Sequence, residues 1–573
     1  MEISRDYAYY KKHAQDVNLE DITSSQQNKN ILQRLRDGDS DFTCLFVVDE
    51  PMSTGGSDDE FIIRWGDNDN DLGWLGYFIG ESKILTELFV RIEVTGNSFI
   101  EGICRNQSIE SLEILRDVVD YLSFGSMFKN NNRLDTLILD SFTMNAHDFA
   151  ISLGQQSHLK CLHFHYMDLS DAEVSAIAKA LIAQPQLDEL KFEYNDFERY
   201  CCEALKYTFM KWGRKSQLKK LDLTSNAIDD EGLTILLEGL VCCGRYLTEL
   251  TLSCSDLSAA GLRSLSSYFQ NDICCVEILN LYDVHMDDNG AEALASGLTH
   301  SESLKRLDLS KNLIGDAGIA ALASGLTTVA NANLEELCLG ENRFSTAGIR
   351  SLSGLIKSQR STLKNLSLNR MQVDDDWIPI LADALTNNTK LQSLVFNIRP
   401  SNNTLAAMLA FKKVLCDTSS INNIYLSNHT LQSIGSIGWR SEFIDGVNYF
   451  DLNRRRQQLE PEYRGLIPMI KILINYPDLG EMEPFYQWKL KFLPMIVAWL
   501  QKAGATRGYF DESVKKFQRR EVSAVYKFIR GVPQLVADGY WSQQLKQVRL
   551  KKRKLDEREK QLLERLGRGK VLQ

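Results

Sequence analysis

The sequence predicts an α/β solenoid, a horseshoe with a parallel sheet on its concave side, helices on its convex side and a helical cap at the C-terminal end. Three observations carry this expectation. The stretch Leu304-Lys-Arg-Leu307-Asp-Leu309-Ser-Lys-Asn312, followed by Ile319, Leu322 and Leu326 near helical spacing, reads as strand, turn, helix. Related stretches start at Leu218, Leu247, Val276 and Leu334, so consecutive starts from 218 to 334 are 29, 29, 28 and 30 residues apart. One such unit cannot bury its own apolar face, so each needs a neighbour on either side.

The elements follow in chain order. Residues 1–84 read as an N-terminal cap region, with strand candidates at Phe42–Val48 and Phe61–Trp65, a loop by composition at Pro51–Glu60, and a helix at Leu72–Gly80. Residues 85–430 read as the solenoid, about 13 repeats starting at 85, 109, 134, 159, 187, 218, 247, 276, 304, 334, 363, 391 and 421. The last of these takes Ile421, Ile424 and Leu426 as strand positions. Asn195, Asn226, Asn312 and Asn342 hold the ninth position, where an amide can bond the main chain of adjacent turns. Asp229, Ser258, Asp287, Ser345 and Asp374 stand where a helix N-cap is expected, and Ser170-Asp-Ala-Glu173 reads as a capping box. Gly232, Gly261, Gly290, Gly318 and Gly348 recur at the fifteenth position, where a missing side chain would let the helix lie close to the strand layer. Strands stack at about 4.8 Å while packed helices need about 8–10 Å, so the strand side must be the inner one. Residues 431–547 read as a helical cap domain and 548–573 as a basic tail with a net charge of +6.

These residues resemble the leucine-rich repeats of the ribonuclease-inhibitor type, with roughly 28–29 residues per repeat. The resemblance implies a protein-binding solenoid. The stretch Met482–Leu500 resembles the C-terminal part of repeat proteins expanded in unicellular algae, a likeness that implies no activity. The repeats are also similar to those of nucleotide-binding immune receptors, but no phosphate-binding loop accompanies them here, so a sensor ATPase is not expected.

Composition narrows the function classes. Hydrophobic content of 44% and charged content of 25% are ordinary for a folded protein, and the net charge of −11 disfavours polyanion binding by the whole chain. Residues 1–30 lack an apolar core, so no signal peptide is expected, and no run is long enough to span a bilayer. The twelve cysteines lack paired zinc-ligand spacing and read as reduced thiols, which points to the cytoplasm, with the nucleus as the alternative. No HExxH, GxSxG or P-loop occurs. No enzyme activity, cofactor or metal is expected.

On the concave face, the third, fifth and seventh residues of each strand motif point away from the helices. His163, His165, Tyr166, Lys191, Glu193 and Tyr194 then cluster on two adjacent repeats, with Asp222, Tyr282, Arg306 and Asp308 further along. Rings beside charges are what protein interfaces use as anchors, so the leading reading is a non-enzymatic scaffold that holds a protein partner there. One family with this repeat type activates a small GTPase, but it carries an acidic C-terminal tail, whereas this chain ends basic. The segment Arg549–Lys554 allows a third reading, attachment of the tail to nucleic acid or an anionic surface.

Overall fold

The computed structural model describes residues 5–475 apart from 49–60, 66–70, 93–96, 116–130, 142–144, 156–157, 196, 328–332, 374–375, 399–403, 436–448, 459–467, 469–470 and 473–474. The chain divides into two compact units, Met1–Met371 and Gln372–Gln573.

In unit one, alternating side chains make short strands that feed a common core. Both expected early strands form, β1 (Cys44–Val48) and β2 (Ile62–Arg64). Then come β3 (Glu87–Arg91), β4 (Ser111–Leu115), β5 (Thr136–Asp140), β6 (Cys161–His165), β7 (Glu189–Glu193), β8 (Lys220–Asp222), β9 (Glu249–Thr251), β10 (Ile278–Asn280), β11 (Arg306–Asp308), β12 (Glu336–Cys338) and the start of β13 (Asn365–Val373). Their order is β2-β1-β3 and then sequential. The pairing is parallel, with Leu45 opposite Leu88 and Leu307 opposite Leu337. One side of each strand is buried: Leu162 and Phe164 in β6, Leu190 and Phe192 in β7. Leu304, Leu307 and Leu309 are buried in the same way, together with Ile319, Leu322 and Leu326 of the helix Asp316–Leu326.

The ninth-position amides bind as expected. Asn312 Nδ2 donates to the carbonyls of Leu281 (2.8 Å) and Leu309 (3.0 Å), and its Oδ1 accepts from the amides of Val284 (3.1 Å) and Met286 (2.9 Å). Asn195, Asn226 and Asn342 repeat the pattern of donation to a carbonyl of the preceding repeat. Each thereby satisfies a main-chain carbonyl of the preceding repeat.

The helix starts are built as the sequence suggests, with one addition. Asp229 and Asp287 accept from the amides of Gly232 (2.7 Å) and Gly290 (2.8 Å), and Ser258 and Ser345 from Ala260 (3.1 Å) and Ala347 (3.3 Å). Glu173 closes the capping box on the Ser170 amide at 2.9 Å. Asp374 lies outside the described residues. The helix at Asp316 begins after Gly315, which has no capping side chain. Asp288, from the previous helix, supplies the acceptor, taking the amides of Gly315 (2.6 Å) and Gly318 (2.9 Å). Asp316 does the same one repeat later, for Ser345 (2.8 Å) and Gly348 (2.6 Å). This corrects the reading of the fifteenth-position glycines. A Cβ on Gly318 would stand 2.6 Å from Asp288 Oδ1, and one on Gly261 2.4 Å from Asp230 Oδ1. At Gly261, Gly318 and Gly348 the missing side chain admits the neighbouring helix's carboxylate, whereas at Gly232 and Gly290 it makes room for Cys202 and Leu262 of the neighbouring repeat.

A further regularity was not foreseen. The eighth residue of successive repeats (Ser141, Tyr166, Tyr194, Ser225, Cys254, Asp283, Lys311, Glu341, Arg370) has left-handed backbone, with φ from 49° to 57°. The chain must turn out of the strand at this point, and the neighbouring repeat's carbonyl fixes how: the amide of Tyr166 donates to Glu193 O (3.1 Å) and that of Tyr194 to Thr224 O (2.9 Å).

In unit two, β14 (Ser393–Ile398) pairs in parallel with β15 (Ser433–Ile434) through Ser393–Ser433 and Leu394–Ile434. Here the expected strand at Ile421 is overturned, because Ile421–Leu426 is a helix. Ser420 caps it by accepting from the Asn423 amide at 3.1 Å. The strand is deferred to Leu431-Gln-Ser-Ile434, which copies Leu391-Gln-Ser-Leu394. Asn388 and Asn428 hold the two strand entries identically, accepting from Leu391 N (2.7 Å) and Leu431 N (2.9 Å). Further on, the buried Lys471 donates to the carbonyls of Leu415 (2.8 Å) and Asn428 (3.1 Å). The loop at Pro51–Glu60, residues 476–547 of the expected helical cap domain with the stretch Met482–Leu500, and the basic tail lie outside the described residues. Among the described residues no helix is long and apolar enough to cross a membrane.

Candidate functional site

Strands β4 to β8 position the side chains. In β6 and β7 the buried leucine and phenylalanine hold the backbone, so the residues between them must face the other side of the sheet. The parallel register sets His163 beside Lys191 and His165 beside Glu193, with Asp140 on the far side of His165 and Asp222 next to Lys191.

This brings together the six residues expected on the two repeats. His165 stands between two carboxylates, with Nδ1 2.9 Å from Asp140 Oδ2 and Nε2 3.5 Å from Glu193 Oε2. Its ring meets those of Tyr166 and Tyr194 edge-on, at centroid distances of 4.6 and 5.3 Å. The two tyrosines stack on each other at 4.1 Å and 17°. Both come from the left-handed turn position, and both stay substantially exposed, at 51% and 40%. Left-handed backbone costs a non-glycine residue roughly 1–2 kcal/mol.

A second group lies under the first. Glu189 Oε1 is 3.2 Å from His163 Nε2, bent away from good hydrogen-bond alignment, and 3.1 Å from Lys191 Nζ. The His163 contact, opposed by burial and helped by Lys191, holds the Glu189 carboxyl down to about 2. Burial alone would lower the Lys191 ammonium, but Glu189, Glu193 and Asp222 hold it above the ordinary lysine value. Glu193 and Glu113 move the other way. Burial raises both carboxyls, reinforced by Asp222 for Glu193 and by Asp140 for Glu113.

Glu189, Asp140, Glu113 and Lys220 were not singled out from the sequence. Glu189 and Lys220 sit at the third position of their motifs, which was expected to face this side of the sheet but whose charges were not picked out.

Of the remaining expected residues, Asp222 borders the cluster beside Lys191, while Tyr282, Arg306 and Asp308 lie on later strands apart from it. Asp222 and Asp308 turn back onto their own strand ends, accepting from the amides of Thr224 and Ser310 at 3.0 Å each. Arg306 pairs with Glu336 at 3.3 Å. Tyr282 carries the ammonium of Lys311 at 5.6 Å from its ring centre. Among the described residues no group of histidine, cysteine and carboxylate side chains could hold a metal ion.

A family model described as "Leucine Rich repeat" matches residues 216–236 and 300–323. The chain is 28% identical over 247 residues to a protein named ribonuclease inhibitor from Sus scrofa, covering 38% of this chain and 53% of that protein. It is 26% identical over 315 residues to the human NACHT, LRR and PYD domains-containing protein 14, covering 49% of this chain and 28% of that protein. The chain therefore spans about half of the porcine relative and less of the human one. Among solved structures, an internalin from Listeria monocytogenes aligns over 68% of this chain and 94% of its own at 15% identity, with a TM-score of 0.34.

Proposed function

Since this chain is a leucine-rich-repeat protein of the ribonuclease-inhibitor type, we propose that it is a non-enzymatic scaffold whose concave sheet face, around Tyr166 and Tyr194, holds a protein partner. The observation that carries the proposal is the stacked pair of tyrosines held half-exposed in left-handed backbone. Such backbone suits glycine or asparagine, and two large rings there leave apolar surface in water next to charge. Clustered aromatics at a partly desolvated spot are the usual anchors of protein interfaces. The name of the porcine relative says that it inhibits a ribonuclease, and by analogy the partner proposed here is a folded protein rather than a small molecule. The cluster residues His163, His165, Lys191 and Glu193 would orient the partner. Asp222, Tyr282, Arg306 and Asp308 would belong to a wider contact area along the sheet.

The proposal includes the expected division into a cap at 1–84, repeats at 85–430, a helical domain at 431–547 and a basic tail. It also places the protein in the cytoplasm, where its twelve free thiols would stay reduced.

The test compares quantitative affinity capture by the full chain with capture by Tyr166→Ala/Tyr194→Ala and by Tyr207→Ala. Tyr207 is an equally exposed tyrosine on the helix Arg199–Trp212, away from the sheet face. The double variant should lose roughly 1–2 kcal/mol of affinity per anchor while its melting temperature changes little, and the Tyr207 variant should bind as the parent does. Unchanged capture by the double variant would place the binding surface elsewhere.

A further inference from the structure

The rings of Tyr166 and Tyr194 share their surroundings with an excess of negative charge. His165, which touches both rings, also touches Asp140 and Glu193, so two carboxylates lie one side chain away from the stack. Across the same strands, Glu113 and Glu189 add two more. Against these, Lys191 lies within 4.0 Å of Glu189 and Glu193, and Lys220 reaches Glu189 at the same limit. Burial raises the Glu113 and Glu193 carboxyls, with Asp140 and Asp222 adding to it against the lowering pull of Lys191 and the two histidines.

Exposed aromatic faces bordered by under-neutralised carboxylates complement one side chain better than any other. Guanidinium is planar, stacks on rings, and carries a fork of donors that fits carboxylates. The lysine ammonium satisfies the charge but has no plane to lay on tyrosine. An anionic partner would meet the same carboxylates as a repulsion. We propose that Tyr166 and Tyr194, with Asp140 and Glu193 behind them, form a receptor for an arginine side chain on the surface of the partner protein. The inference rests on reading the concave face as the binding surface, and it names what that surface recognises.

The experiment titrates the full chain with hexa-arginine and hexa-lysine amides at physiological ionic strength, followed by calorimetry. The arginine peptide should bind about five- to tenfold tighter than the lysine peptide. Tyr166→Ala/Tyr194→Ala should bring that ratio close to one, Tyr166→Phe/Tyr194→Phe should keep it, and Glu193→Gln should weaken both peptides. If the alanine variant does not fold, Tyr166→Asn/Tyr194→Asn replaces it, because asparagine accepts left-handed backbone. Absence of arginine-peptide binding, equal affinity for the two peptides, or a ratio that survives removal of the tyrosines overturns the proposal. A captured partner that depends on the tyrosines but comes with no arginine preference likewise overturns it and leaves the scaffold reading standing. An arginine preference carried by the tyrosines, with partner capture untouched by their loss, overturns the assignment of this arginine site to the captured partner and places that partner's binding surface elsewhere.

Discussion

Asn312 holds five main-chain groups at once, the carbonyls of Leu281, Leu309 and Ser310 on its amide hydrogens and two amides on its oxygen. Four of these bonds lie beneath the surface, where an unpaired polar group costs far more than a paired one gains. Asn312→Ala should therefore cost about 2–4 kcal/mol, read by chemical denaturation; a loss within the error of the measurement would mean that water takes over the amide's role. Glu189 makes a prediction in pH. Its carboxyl is held at about 2 against an ordinary 4.5, so its ion contacts stabilise the fold above about pH 4.5 and are lost as pH falls toward 2. Solvent reaches part of this group, so the contribution is on the order of 1 kcal/mol. The stability gap between the parent chain and Glu189→Gln should thus be present near neutral pH and shrink below about pH 4. A gap that stays constant into acid would show that the His163 and Lys191 contacts add nothing. The sequence made the ninth-position amides legible, because only asparagine both donates and accepts at that size. Glu189 was not legible, because an isolated glutamate on a strand looks like any solvated charge until the register places His163 and Lys191 beside it.

At the scale of the element, the helices pack more closely than the repeat length alone requires. A Cβ on Gly297, in the helix Asp288–Leu298, would stand 2.4 Å from the Cα of Ser266 in the preceding helix Ala259–Phe269. Gly297→Val must push two main chains apart and should cost about 1–3 kcal/mol. A melting temperature equal to the parent's would show that the helices slide to make room. Most strands and helix starts could be read from the sequence, because a period-two apolar pattern followed by a capping residue has few other solutions. The stretch Ile421–Leu426 misled because its apolar spacing serves a short helix as well as a strand. The better signal was the recurrence of Leu391-Gln-Ser-Leu394 as Leu431-Gln-Ser-Ile434, which a fixed period of about 29 residues hides behind an insertion. The left-handed turns had no signal at all: serine, tyrosine, cysteine, lysine and glutamate share no backbone preference that would mark them.

For the molecule as a whole, each repeat is stabilised through its two neighbours, so damage at one place should propagate. Leu307 is fully buried in β11, between Leu279 and Leu337. Leu307→Asp places an unpaired charge there, at a cost of several kcal/mol. Hydrogen exchange should speed up first in β10 to β12, with β5 to β7 still protected, and the melting curve should broaden. A single sharp transition at the parent temperature would refute a nearest-neighbour array. The row of left-handed turns has the opposite character. The neighbouring repeat's carbonyl sets its conformation, and serine, tyrosine, cysteine, aspartate, lysine, glutamate and arginine all stand in it, so the fold admits side chains of very different chemistry there. Three kinds of partnership already occupy it: a tyrosine stack, Lys311 with Asp283 at 2.6 Å, and Arg370 with Glu341 at 3.0 Å. Along this edge the molecule's chemical identity can therefore be rewritten pair by pair while its architecture is inherited unchanged.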